Sequence, residues 1–308
     1  MPDSALAAAA KDAAPAHLAD LFRELNDLKR IRSAGRAGSI AARLFRAAWI
    51  ALARGEPPDA VMRRTTAAAL VAARLADLDR AALAALGLAP PAVDEVLRAG
   101  FDCVAGDVAQ PLRSRLRDAV GHTLSIEGEP PGFVLQLEEQ PRAGVTCPGQ
   151  PRIVLEPPEN HAEHCLMVAV YGVLLSPAYA ADAATVFLAG LAHHLHNALM
   201  PDAGFTGEVL LGPHLDGAIA HASQGALDQL PPGLRTEVEA ARRILPDAAT
   251  PEGRAFHAAD VIDRVLQIAQ HLRAASLTMG QVLDEMHLVH EGPVKPFHDM
   301  TLREMGLP

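Results

Sequence analysis

The chain has 308 residues, half of them hydrophobic and only 4% aromatic, with a formal net charge of −10 at pH 7. That length allows one large core or two modest ones, and the usual domain size favours two. The negative charge argues against a general nucleic-acid coat, which needs a positive field to displace counterions.

A core of alanine, leucine and valine favours helices, because Ala and Leu lose little entropy there. The N-terminal stretch "MPDSALAAAAKDAAP" has no basic region ahead of its apolar residues, which argues against export. No apolar run reaches bilayer length, so no membrane partner is expected. The three cysteines, Cys103, Cys147 and Cys165, are widely spaced and form no C-x-x-C pair. Neither a disulfide framework nor a zinc ribbon is implied, and a reducing cytoplasm is the expectation.

From about Ala16 to His122 the pattern is helical. "HLADLFRELNDLKRI" repeats apolar residues at steps of three and four, as one buried face requires. "GSIAARLFRAAWIALARGEPPDA" predicts a second helix, stopped by Gly55 and the Pro57-Pro58 pair. "AVMRRTTAAALVAARLADLD" and "PAVDEVLRAGFDCVAGDVAQPLRSRLRDAVG" continue in the same manner. These residues, 1–122, resemble a helical accessory or dimerisation domain, so a homodimer is one partner expectation. The basic run Lys29, Arg30, Arg32 and Arg36 can hold an acidic partner or a phosphate, but a solvated helix end is the ordinary explanation.

Between residues 123 and 158 the composition turns to proline and glycine. "FVLQL" and "RIVLE" alternate as short strands do, so a small hairpin or an extended linker is expected there. The proline pairs at 130–131 and 157–158 discourage a continuous helix.

From 159 to 308 helices return, and seven of the fourteen histidines lie between His161 and His221. "ENHAEHCLMVAVYGVLL" predicts a helix whose buried face includes Leu166, Met167, Val170, Val173 and Leu174. "DAATVFLAGLAHHLHNAL" predicts another, apolar up to His193 and therefore buried. Buried imidazoles need partners, and a metal ion satisfies several in little space.

"ENHAEHCLMVA", "FLAGLAHHLHNAL" and "FHAADVIDRVLQI", in that order, resemble three helices of the HD superfamily of metal-dependent hydrolases, in particular its bacterial 5′-deoxynucleotidase-like branch. The resemblance covers roughly residues 155–290. It implies an all-α fold with His164 as first metal ligand, His193 as the histidine of the His-Asp doublet and Asp260 as the closing carboxylate. His194 stands where the family has its aspartate, and an imidazole ligates without bringing negative charge. Asn197 stands where the branch tends to keep an acidic residue, and it cannot act as a general base. Four residues beyond His193, it is expected on the same helical face, able to orient a water or ligand. His194 and Asn197 are thus the candidate catalytic positions.

Extra histidines complete dinuclear sites in some members of the superfamily, so His196, His214 and His221 are candidate further ligands. His214 and His221, seven residues apart, fall on one face of a predicted helix. Each candidate has a plainer reading as a core, capping or solvated residue. The same holds for His161, for Glu163 as a partner of a ligating imidazole, and for Cys165 as a small core residue. Asp263 is expected to be a surface or supporting charge.

The C-terminal "MHLVHEGPVKPFHDMTLREMGLP" adds His287, His290 and His298, with Lys295 able to meet a phosphate. No phosphate-binding loop, dinucleotide fingerprint or nucleophile elbow is present. The readings that follow are a metal-dependent phosphohydrolase of a nucleotide or other small phosphoester, a di-iron oxygenase, and a non-catalytic metal-stabilised binding or regulatory module. The expected cofactor is a divalent transition metal (iron, manganese, cobalt or zinc), and the expected partner is a small phosphorylated or polar substrate.

Overall fold

The computed structural model describes residues 15–122, 124, 128–150 and 152–274. Among them helix is the regular structure, apart from isolated bridges at Ser33–Arg36, Pro141–Asn160 and Val145–Ile153. The fold is all-α. The first helices are α1 (Ala19–Asn26), α2 (Ile40–Ala53), α3 (Pro58–Leu75), α4 (Arg80–Ala85), α5 (Pro90–Asp102) and α6 (Gln110–Ala119). Ser39 caps α2 by accepting from the Ala42 amide. Pro58 ends nothing: it opens α3 from the first-turn position, where a missing N–H is harmless.

The segment "FVLQL" is not a strand. It lies within α7 (Gly132–Glu139), with the Val134 amide bonded to the Pro131 carbonyl at 2.9 Å. Phe133, Val134 and Leu137 are buried together, and the Phe133 ring sits edge-on to Trp49 with centroids 5.0 Å apart. That buried face needs helical spacing, so tertiary packing overrides the local alternation. "RIVLE" contributes only the Val145–Ile153 bridge, with both of its backbone bonds formed.

The remaining helices are α8 (His161–Tyr179), α9 (Ala183–Ala192), α10 (Gly204–Leu211), α11 (Leu215–Leu227), α12 (Pro232–Ala241) and α13 (Pro251–Ala274). The described residues up to Asp263 form one compact unit, and those from Arg264 onward belong to a second. The axis of the first is α8, which is hydrophobic on every side and buried along nearly its whole length, as such a helix must be. By length and composition α8 does reach the size of a membrane span, contrary to the sequence expectation, but 89% of its apolar window is buried inside the protein. Its start is fixed by a capping box in which the Asn160 side chain accepts from the Glu163 amide and the Glu163 carboxylate accepts from the Asn160 amide.

Helices α8 and α9 pack closely because two glycines remove side chains where they meet. A Cβ on Gly190 would lie 2.6 Å from the Ala169 Cα, and one on Gly172 would lie 2.5 Å from a Val186 methyl. The first collision is with backbone, which cannot yield. This approach sets the histidine at the start of α8 opposite those at the end of α9.

Candidate metal centre

The predicted helix through "GLAHHLHNAL" stops short. Helix α9 ends at Ala192, His194 has φ −104° and ψ 23°, and residues 195–198 form a 3-10 turn. Arg242 donates to the Ala192 carbonyl and to Ser223, satisfying an end that a continuing helix would have used. A cation at a helix C-terminus is also favoured by the dipole. His193 and Asn197 therefore do not share a helical face, contrary to the sequence expectation. The break turns His193 and His194 together toward the first turn of α8.

His164, His193 and His194 converge there, each offering a ligand atom within 4.8 Å of the others. The His164 and His193 Nε2 atoms are 3.1 Å apart, and the Asp260 carboxylate lies 3.2 Å from His164 Nε2. Bonds of about 2.0–2.2 Å to a shared ion put neighbouring ligand atoms roughly 2.8–3.6 Å apart, from octahedral to tetrahedral angles. The observed separations fit.

The outward nitrogens explain why these inward ones are bare. His193 Nδ1 donates to the Gly190 carbonyl at 2.7 Å, which leaves Nε2 of the neutral ring as a lone pair. His194 Nδ1 meets Asn197 Oδ1 at 2.8 Å, while Asn197 Nδ2 donates to the Met200 carbonyl at 3.1 Å. The amide is thereby oriented oxygen toward histidine, so His194 Nδ1 must be the donor. His164 Nδ1 donates to Asp263 Oδ2 at 2.7 Å. Three tautomers are thus set by three different acceptors, as outer partners commonly set those of ligating histidines. One proton on His164 Nε2 could serve His193 or Asp260 but not both; a cation serves every lone pair at once. Burial pushes the His193 imidazole down to about 3 and His194 well below the ordinary histidine range, so both rings stay neutral.

Behind His164 lies a buried ionic set that sequence reading missed. Asp263 is fully buried, the supporting rather than the surface charge of the two expected, and Lys29, assigned above to a solvated helix end, is only 3% exposed. The Lys29 ammonium bonds Asp263 at 2.7 Å and Glu159 at 2.6 Å, and Asn26 donates to Asp263 at 3.2 Å. Burial alone would raise the Asp263 carboxyl; the Lys29 ammonium and His164 overcome it and hold the group below its ordinary value. Glu159, His164 and Asp263 would make a second trio of ligands by spacing, but the ammonium already fills the space between the carboxylates. The available signal was the three-residue step shared by Asn26–Lys29 and Asp260–Asp263, which only tertiary packing turns into a contact.

The other candidates divide. Glu163 holds no imidazole; it is buried, closes the capping box and accepts from Ser39 at 2.7 Å. Cys165 is buried, and burial pushes its thiol above the range of a thiolate ligand. His161 and His196 stand beside His194, with ring centroids 4.8 and 5.4 Å away. Neither His161 nitrogen, nor His196 Nδ1, has a hydrogen-bond partner, and burial pushes the two rings down to about 2 and about 4. His214 and His221 are exposed, on the 3-10 turn after α10 and on α11, and share no ring contact with the cluster. Their two-turn spacing is broken by that turn, so the structure does not bring them to the site. His287, His290, Lys295 and His298 lie outside the described residues.

A family model described as HD domain matches residues 134–295, more than half of the chain. No curated protein and no solved structure matches.

Proposed function

The chain belongs to the HD-domain family, and from that premise we propose that it is a metal-dependent hydrolase of small phosphoesters, with the 5′-deoxynucleotidase-like branch as its nearest chemistry. The family implies a metal-dependent hydrolase-like module. His164, His193, His194 and Asp260 would hold a divalent transition metal, because neutral imidazoles with one carboxylate suit that class. Such an ion, when bound, supplies Lewis acidity toward a phosphoryl oxygen and toward water. One observation carries the reading: His164, His193 and His194 each offer a ligand atom within 4.8 Å of the others, with an acceptor on one nitrogen of each ring and Asp260 beside His164 Nε2.

The residues themselves do the positioning. Asp263 holds the His164 ring, the Gly190 carbonyl holds His193, and Asn197 holds His194. Asp260, 3.2 Å from His164 Nε2 and only partly buried, would close the ligand set as its one carboxylate.

A non-catalytic metal-stabilised module is the second reading, and it too has a specific support. Asn197 commits both ends of its amide, to His194 and to Met200. No carboxylate therefore stands at position 194 or 197.

The test is elemental analysis of untagged protein, followed by phosphate release from a panel of nucleoside monophosphates with added manganese or cobalt. The hydrolase reading expects a bound transition metal and metal-dependent turnover, both lost in His193→Ala. Absence of metal from the parent, or stoichiometric metal in the variant, sinks the site. Metal without turnover in the parent, with turnover appearing in His194→Asp/Asn197→Glu, favours the module.

A further inference from the structure

A second cavity, of about 440 Å³, opens among the N-terminal helices and shares no lining residue with the histidine cluster. That volume is typical of small-molecule sites, about 300–1,000 Å³. Its floor is aliphatic: Ala67, Val71, Leu97 and Val120 are buried and line it. Its polar lining is dominated by arginine, with Arg36, Arg43, Arg46, Arg64 and Arg80 against only Asp77 and Asp79 as carboxylates. The five guanidinium charges are balanced by five carboxylates, but three of these, Glu138, Glu56 and Asp94, lie outside the lining.

The guanidinium groups are held, not adrift. Arg46 pairs with Glu138, Arg64 with Glu56, and Arg80 with Asp94. None of those three carboxylates lines the cavity, whereas the arginine of each pair does. Arg36 is forked onto Asp79 at 2.7 and 3.1 Å, and Arg43 pairs with Asp77. Gly121, at φ +86°, lets Arg80 cross the rim: Arg80 Nε donates to the Gly121 carbonyl at 2.8 Å, and a Cβ there would lie 2.5 Å from Arg80 Nη2. Each guanidinium carries five donors in a planar fork, the geometry that receives carboxylate or phosphate.

The aliphatic floor decides what the anion is attached to. A nucleotide base would look for a broad aromatic face to stack on, and the lining offers no Phe, Tyr or Trp, only the small His122 ring. A flexible hydrocarbon chain needs only apolar surface, which alanine, valine and leucine provide. We propose that this cavity binds an amphipathic anion, an unbranched aliphatic chain ending in a carboxylate or phosphate head, with the chain on the Ala67–Val71 floor and the head among the arginines.

The experiment is calorimetric titration and native mass spectrometry of the full chain with dodecanoate, dodecyl phosphate, dodecanol, inorganic phosphate and adenosine monophosphate. Sedimentation with anionic phospholipid vesicles separates a free ligand from a bilayer. The expected result is one dodecanoate or dodecyl phosphate per chain, with dodecanol and inorganic phosphate each bound about tenfold or more weakly, since charged hydrogen bonds and the buried chain both contribute. Ala68→Leu, which adds bulk at a half-buried lining position, and Arg36→Gln, which removes one cation, each lower dodecanoate affinity about tenfold while the protein stays folded. Dodecanol bound as tightly as dodecanoate, adenosine monophosphate bound more tightly than either chain, or no binding overturns the proposal. So does vesicle binding without binding of the soluble anions. If one variant fails to fold, the other and the ligand panel still decide.

Discussion

His164, His193 and His194 on one side, and His161 and His196 on the other, are imidazoles of one cluster, yet they are built differently. Every ring of the first group has one nitrogen fixed by an acceptor, respectively Asp263, Gly190 and Asn197. In the second group both His161 nitrogens and His196 Nδ1 are buried without a hydrogen bond, and His161 Nε2 has only the Asp202 carboxylate 3.5 Å away. A ring anchored at one nitrogen presents the other with a fixed tautomer and direction, whereas an unanchored ring must be ordered by whatever binds it. The number of histidines in a cluster thus says less about a metal site than the number of acceptors standing behind them.

The largest way to break that contrast is to remove the deepest anchor. Asp263→Ala leaves Lys29 with Glu159 alone and His164 Nδ1 without its acceptor. Loss of one partner from a buried charge set costs about 3–5 kcal/mol. Urea unfolding should show that loss together with loss of metal; a loss below about 1 kcal/mol, the range of exposed pairs, would mean that the buried set is unimportant.

A smaller effect is expected from Asn197→Ala, which frees His194 but leaves its ring in place. Outer partners of this kind are worth about 10–100-fold in metal affinity. Competition with a chromophoric chelator measures it, and the contrast collapses if His196→Ala weakens binding as much as Asn197→Ala does.

Acid should expose the unanchored group in chelator-treated protein. The folded-state value of His161, about 2, lies below the ordinary 6.5, so its contribution to stability is present above pH 6.5 and is lost progressively as pH falls toward 2. One such group contributes a slope of about 1.4 kcal/mol per pH unit within that window. His161→Phe should flatten the dependence of stability on pH by that amount between pH 6 and 4, and parallel curves for parent and variant would contradict it.

The smallest effect belongs to the same variant at neutral pH. Replacing a ring that makes no hydrogen bond, and only a 3.5 Å approach to Asp202, with an apolar one of similar shape is nearly neutral or stabilising, within about 1 kcal/mol. Thermal melts with and without chelator would sharpen the comparison, because a metal-dependent loss in His161→Phe would move His161 into the ligand set.

Much of this was legible in the residues and some was not. The three motifs pointed to His164, His193 and Asp260 because His164 and Asp260 lie within helices recognisable from local sequence, and His193 directly after another, the apolar α9. The helix break after Ala192 was not legible, since it depends on Arg242 arriving from residues far along the chain to take the Ala192 carbonyl. "FVLQL" misled for the same reason: its alternation fits a strand until Trp49 and the α8 core supply a face that only a helix can meet. Lys29 was the furthest from reach, because a lysine in a basic run reads as solvated unless its buried carboxylates are already known.

The bond between Lys29 and Asp263 joins residues 234 positions apart. During synthesis Lys29 leaves the ribosome early, and at about 5–20 residues per second its partner follows roughly 12–50 seconds later. For that interval the early helices carry an ammonium destined for the interior, and the His164 ring lacks the acceptor that fixes its tautomer. A nascent chain arrested anywhere before residue 263 can therefore have its first helices in place and still hold no finished cluster, so translation itself dates the assembly of the centre to the emergence of α13.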